Sequence, residues 1–130
     1  MAGTIIADTL THSTAGSVTT DYVVNGSAKA WVSFDGTAGT ITKNTDSLNT
    51  TSLTDNGAGD YTQNWTNSFS STNYVASGAS SSSNAAYGWY LPNISSTPYQ
   101  EGSTRCTHNR PGTGTADADI FSTAVHGDLA

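Results

Sequence analysis

Residues 54–66 read Thr-Asp-Asn-Gly-Ala-Gly-Asp-Tyr-Thr-Gln-Asn-Trp-Thr, and no other stretch limits the possible folds as much. A polar run enters a Gly-rich turn and leaves it as an alternating one. Tyr61, Gln63 and Trp65 fall on one face, with Thr62, Asn64 and Thr66 on the other. A period of two belongs to a strand and cannot keep an apolar stripe on a helix. Asn56-Gly57 suits the positive backbone angles of a tight turn, and Gly59 leaves room for a bulge beside it. The segment predicts an antiparallel hairpin.

The same period recurs along the chain. Ala30, Val32 and Phe34 share a face opposite Trp31 and Ser33, and Asp35-Gly36 ends that run. Phe121, Thr123 and Val125 alternate near the C-terminus. Further strands are expected over 18–24 (closed by Asn25-Gly26), 40–43, 47–55, 73–79 and 85–92. The serine run 80–83 reads as a loop. So does 93–115, where Pro98 and Pro111 argue against central strands. Helix formers are scarce, with one Glu and five Leu against 40 Ser and Thr. The expected fold is all-β: a single antiparallel β-sandwich or jelly-roll-like domain over 21–130, preceded by a short N-terminal arm or first strand over 1–20 that serves assembly or attachment.

Leu, Ile, Val and Phe together number only nineteen in 130 residues, so the core is thin for the length. Twelve aromatic residues supply much of the remaining apolar area. Trp31 and Tyr90 point away from the cores of their own strands, and exposed rings of that size call for a cover. They are the candidate subunit interface, and a homotrimer is expected.

Charge and special residues exclude several functions. The formal net charge is −6, and the four basic residues, Lys29, Lys43, Arg105 and Arg110, form no extended patch, which argues against nucleic acid. No apolar run approaches the roughly 20 residues of a membrane helix, and the first residues lack the basic start and apolar run of a signal peptide. One cysteine, Cys106, allows no internal disulfide. His12, His108 and His126 lie far apart, so neither a metal nor a cofactor is expected. Asp117 and Asp119 could share a strand face as an acid–base pair, but carboxylates among Gly and Ala more often cap turns. The chain is expected not to be an enzyme. Recognition chemistry is left to the aromatics and to the expected loop after residue 94. There Tyr99, Arg105, His108 and Arg110, with Tyr90 nearby, are the candidate contacts for a host glycan.

The stretch 26–78 resembles a module of bacteriophage virion proteins, especially the tail-fibre-like proteins of marine phages. Ala30-Trp31-Val32, Phe34-Asp35-Gly36, the hairpin Ser52 to Thr62, and Asn73-Tyr74 carry the resemblance, and both chain ends look like those of short members. Gln63 stands where the pattern carries an apolar residue, and Trp65 where it carries Phe. The resemblance implies a virion structural protein, fibre- or knob-like and trimeric, contacting other tail or capsid proteins and a host surface polysaccharide. A capsid decoration protein is the alternative, and a polysaccharide depolymerase acting through Asp117 or Asp119 is a third reading.

Overall fold

A computed structural model describes residues 3, 6–82, 85–92, 97–112 and 114–130, with the backbone alone for His12, Asn44, Thr45 and 85–92. The described chain is mostly antiparallel β-structure with one short helix. In order the elements are β1 (Thr9–His12), β2 (Gly16–Thr19), α1 (Thr20–Gly26), β3 (Ala30–Phe34), β4 (Lys43–Leu48), β5 (Thr50–Gly57), β6 (Asp60–Trp65), β7 (Val75–Ser82), β8 (Ala85–Pro92), β9 (Tyr99–Gln100), β10 (Ser103–Arg110), β11 (Gly114–Thr115) and β12 (Ile120–His126). β1 and β2 form a separate two-stranded ribbon. The main sheet runs β4-β3-β12-β7-β8-β10-β6-β5, with β9 and β11 paired to β10.

The expected alternation positions the core. On β3, β6 and β12, Ala30, Val32, Phe34, Tyr61, Gln63, Trp65, Phe121, Thr123 and Val125 point inward and are buried. β8 pairs with β7 through Ser80↔Gly88 and Ser82↔Ala85, and with β10 through its later residues. Side chains of β3 and β12 pack against those of β6 and β10. Phe34, Tyr61 and Phe121 meet with ring centroids 5.1 Å apart, joined by Val32, Cys106 and Ala118. A second cluster gathers Ala30, Trp65, Phe69, Tyr74 and Val125. Between them lies a buried polar layer. Gln63 Nε2 donates to Thr50 Oγ1 at 2.7 Å, and Thr123 Oγ1 donates to Gln63 Oε1 at 2.6 Å. The polar residue in the hairpin is therefore matched by two hydroxyls on other strands.

Four expectations are corrected. Residues 20–26 form a helix where a strand was expected. Asp21 sits in its first turn, and Ser27 and the Lys29 ammonium donate to the Val24 carbonyl at its C-terminal end. The single strand expected over 47–55 is broken at Asn49, whose φ of 51° lies in the left-handed region. Its two halves become β4 and β5, at opposite ends of the strand order. Ser80–Ser82 belong to β7, paired with β12 and β8, and the Ser80 and Ser82 hydroxyls bond side chains on β10. Residues 103–110, expected in a loop, form β10 between β8 and β6. Pro98 and Pro111 lie just outside it.

The hairpin forms, but its turn is displaced. Asn56 and Gly57 are the end of β5, with a register shift between Asp55 and Gly57, and the chain reverses at Ala58-Gly59. Both Gly57 and Gly59 have positive φ, 129° and 67°.

Candidate functional site

The main sheet has two unlike outer faces. Outside β5, β6 and β10 runs a polar ladder. Asn64 Nδ2 donates to Ser52 and Thr54 hydroxyls at 3.2 Å, and Asn56 Nδ2 to Thr62 Oγ1 at 2.9 Å. Arg105 clasps Asp60 with two bonds of 2.9 and 2.7 Å. That bidentate pairing strengthens the Arg105 charge and leaves the guanidinium committed within the ladder.

Outside β3, β12 and β7 the face is different. Leu48, Trp31, Ala124 and Ser77 stand in one cross-strand row, since Trp31 opposes both Leu48 and Ala124, and Ala124 opposes Ser77. Trp31 is 37% exposed and Leu48 43%. The neighbouring row is Ser33, Ser122 and Ala79, with Ser122 Oγ donating to Ser33 Oγ at 3.1 Å. Val75 and Ile120 extend the face and are exposed. None of these outward positions on β3, β12 and β7 is Asp, Glu, Lys or Arg. A surface with one ring and several hydroxyls, bordered by Asp46 two residues before Leu48 on β4, can stack on an apolar face, either of a protein or of a sugar.

The glycan candidates are not gathered on an exposed loop. His108 is completely buried, with Nδ1 2.8 Å from Ser80 Oγ, and its Nε2 is buried with no hydrogen-bond partner among the described residues. Burial, and then the charge of Arg110, hold its pKa below the ordinary 6.5. Arg110 turns to the same side and donates to Ser82 Oγ. Tyr99 packs edge-on against Tyr74, centroids 5.0 Å apart, and is half-buried. Tyr90 lies on β8, and its side chain falls outside the described residues.

The remaining reactive groups are also engaged. Asp117 Oδ1 accepts the Gly59 amide at 2.8 Å and the Tyr61 hydroxyl at 3.3 Å, so it fastens the hairpin tip to the segment before β12. Burial pushes the Cys106 thiol far up its titration scale, which makes it a poor nucleophile. His108 and Ser80 are in hydrogen-bond range, but an imidazole with no solvent exposure offers a substrate no approach. Among the described residues no group of three His, Cys, Asp or Glu side chains could hold a metal.

A second surface lies in the segment expected as an arm or first strand. Leu10 and Val18 oppose each other in the β1–β2 ribbon, so they share a face, and with Ala15 they line an open groove of about 360 Å³. Thr20 N donates to Asp8 O at 2.9 Å and joins the ribbon to α1. No residue of α1 is buried: Tyr22 is 74% exposed, and Val23 and Val24 are exposed too. The signal lay in Thr-Leu-Thr and Ser-Val-Thr, two polar–apolar–polar triplets flanking Ala15-Gly16.

Comparison with protein-family models, with curated proteins and with solved structures returns no match.

Proposed function

We propose that this chain is a structural component of a bacteriophage virion, a homotrimeric fibre- or knob-like appendage whose sheet forms a β-sandwich or jelly-roll-like body. The observation that carries this reading is the amount of apolar surface left outside. Among the described residues eleven large apolar side chains are exposed, as many as the apolar residues that make up the core. A monomer keeping that much apolar surface in water would associate without control, whereas a closed symmetric assembly covers the part that lies off the outer face of β3, β12 and β7. The resemblance of residues 26–78 to phage fibre modules supplies the setting. The face around Trp31 supplies a platform on which the ring face of a host sugar can stack.

Two measurements test the reading. Light scattering should return a mass of about 40 kDa, three times the 13.4 kDa of one chain. Antibody labelling of intact virions should mark the tail. Label confined to heads would replace the fibre by a capsid decoration protein, and absence of label from virions would overturn the virion assignment altogether.

A further inference from the structure

We propose that Asn25-Gly26 is a site of spontaneous covalent modification, at which the Asn25 carboxamide is hydrolysed through a cyclic imide to aspartate and isoaspartate. The second Asn-Gly pair, Asn56-Gly57, is held against the same reaction. Water is the only co-reactant. The Gly26 backbone nitrogen gives up its proton to solvent and attacks Cγ of Asn25. The new N–Cγ bond closes a five-membered ring, the Cγ–Nδ2 bond breaks, and the side-chain nitrogen leaves as ammonia. Water then opens the ring: attack at Cγ leaves aspartate, and attack at the backbone carbonyl leaves isoaspartate, with the chain running through the side chain. In both pairs the following glycine, having no side chain, leaves its nitrogen open to such an approach.

All four residues are exposed, so local geometry decides between the pairs. Asn56 Nδ2 donates to Thr62 Oγ1 at 2.9 Å, and swinging Cγ onto Gly57 costs that bond. The Gly57 amide donates to Asp55 Oδ1 at 2.9 Å, and a carboxylate beside an N–H opposes loss of its proton. Pairing of Gly57 with Asp60 fixes the backbone as well. Asn25 is restrained differently. Among the described residues no hydrogen bond holds its carboxamide. The Lys29 ammonium sits on the Val24 carbonyl, in the peptide that leads into Asn25, and its charge favours the deprotonated nitrogen. Asp21, one turn earlier, offsets part of that effect.

Attack at Asn25 waits on opening of the last turn of α1, which keeps the Gly26 nitrogen in the helical pattern. That opening is cheap. α1 has seven residues, no side-chain bond at its N-cap and no buried side chain. At its C-terminal end Ser27 N donates to Val23 O, Ser27 Oγ and the Lys29 ammonium donate to Val24 O, and His126 Nδ1 lies 3.1 Å from Gly26 O. The side-chain bonds among these are exposed, and water replaces such bonds at small net cost. None of the four involves the Asn25 side chain or the Gly26 nitrogen.

The product differs where it matters to the joint. Each event adds one negative charge to a chain that carries −6, at a helix end whose dipole disfavours an anion. Isoaspartate also lengthens the backbone, which breaks the register of the last turn. The site adjoins the bonds from Gly26 O to His126 and from Lys29 N to Val125 O, which tie residues 6–26 to β12. Conversion therefore loosens that joint in one direction and leaves the two aromatic clusters intact.

The test ages the full-length chain at mildly alkaline pH, folded and in urea. Peptide mass mapping detects replacement of NH2 by OH at each site, and enzymatic methylation of isoaspartate gives a second readout. The folded chain should convert Asn25 on the order of tenfold faster than Asn56, while urea should bring the two rates together. Asn25→Gln should abolish isoaspartate at residue 25 and leave Asn56 unchanged. Asp55→Ala combined with Thr62→Ala frees Asn56 without touching α1, and should raise its rate on the order of tenfold. Near-UV circular dichroism checks that the aromatic core of that variant is intact. Conversion of Asn56 as fast as Asn25 in the folded chain would overturn the proposal. So would an Asn25 that stays intact in the folded chain while the chain in urea converts, or an Asn56 rate that the double variant leaves unchanged.

Discussion

Gly59 is held by three constraints at once. Its φ of 67° disfavours any side chain, its amide donates to Asp117, and its carbonyl accepts the His108 amide at 2.8 Å. A Cβ placed there would lie 2.3 Å from the Ala116 carbonyl oxygen, which is backbone and cannot turn aside. At Gly57 the φ of 129° is also a glycine conformation, but a Cβ would meet nothing within 4 Å. Gly57→Ala should therefore cost only the backbone strain, about 1–3 kcal/mol. Gly59→Ala should cost more than Gly57→Ala, as read by urea unfolding, because the 116–117 segment must move as well. Equal losses would show that the close approach is relieved without cost. A second prediction concerns His108. Its pKa is lowered in the folded protein, so below about 6.5 the unfolded chain takes up a proton that the native one resists. Stability from this residue is thus full near neutral pH and falls as pH drops through the unfolded pKa. The melting temperature should decline between pH 7 and pH 5, and the decline should be shallower in His108→Gln. A slope unchanged by that substitution would assign the effect to carboxylates.

At the scale of elements, strands with an apolar face were legible and strands with a polar one were not. β3, β6 and β12 announce themselves because Phe34, Tyr61, Trp65 and Phe121 stand in sets of alternate residues, Ala30-Val32-Phe34, Tyr61-Gln63-Trp65 and Phe121-Thr123-Val125. β10 turns Thr104, Cys106 and His108 inward, and nothing in Ser-Thr-Arg-Cys-Thr-His-Asn-Arg marks a core. Polar groups there are met by partners from elsewhere in the chain, as Ser80 meets the Nδ1 of His108. Such matching is tertiary and leaves no local period. The candidate site suffered most, because its residues were chosen for sitting in that supposed loop. The break between β4 and β5 was hidden for a related reason. Asn49 takes its left-handed turn while its side chain imitates a strand partner, Oδ1 accepting Asn67 N at 2.7 Å and Nδ2 donating to Asn67 O at 2.9 Å. Asn49→Gly keeps the turn and loses both bonds. Asn49→Ala loses them and adds the left-handed penalty of about 1–2 kcal/mol. Alanine should therefore destabilise more than glycine by about that amount in denaturant titration, and the reverse order would show that the turn carries no strain.

For the whole molecule, the distribution of burial divides the chain into parts of unequal stability. The two aromatic clusters and the polar layer of Gln63, Thr50 and Thr123 tie strands from both halves of the main sheet into one body. Residues 6–26 contribute no side chain to either cluster. Local opening follows the number of buried contacts, so this unit should open without unfolding the body. Amide hydrogen exchange followed by mass spectrometry separates the two parts. Peptides covering β3, β6, β10 and β12 should exchange slowly, because their amides open only when the body unfolds. Peptides covering residues 9–26 should exchange much faster under the same conditions, because the ribbon and helix add nothing to the buried clusters. Equal protection of the two sets of peptides would show that the chain opens as one cooperative unit and would overturn the division.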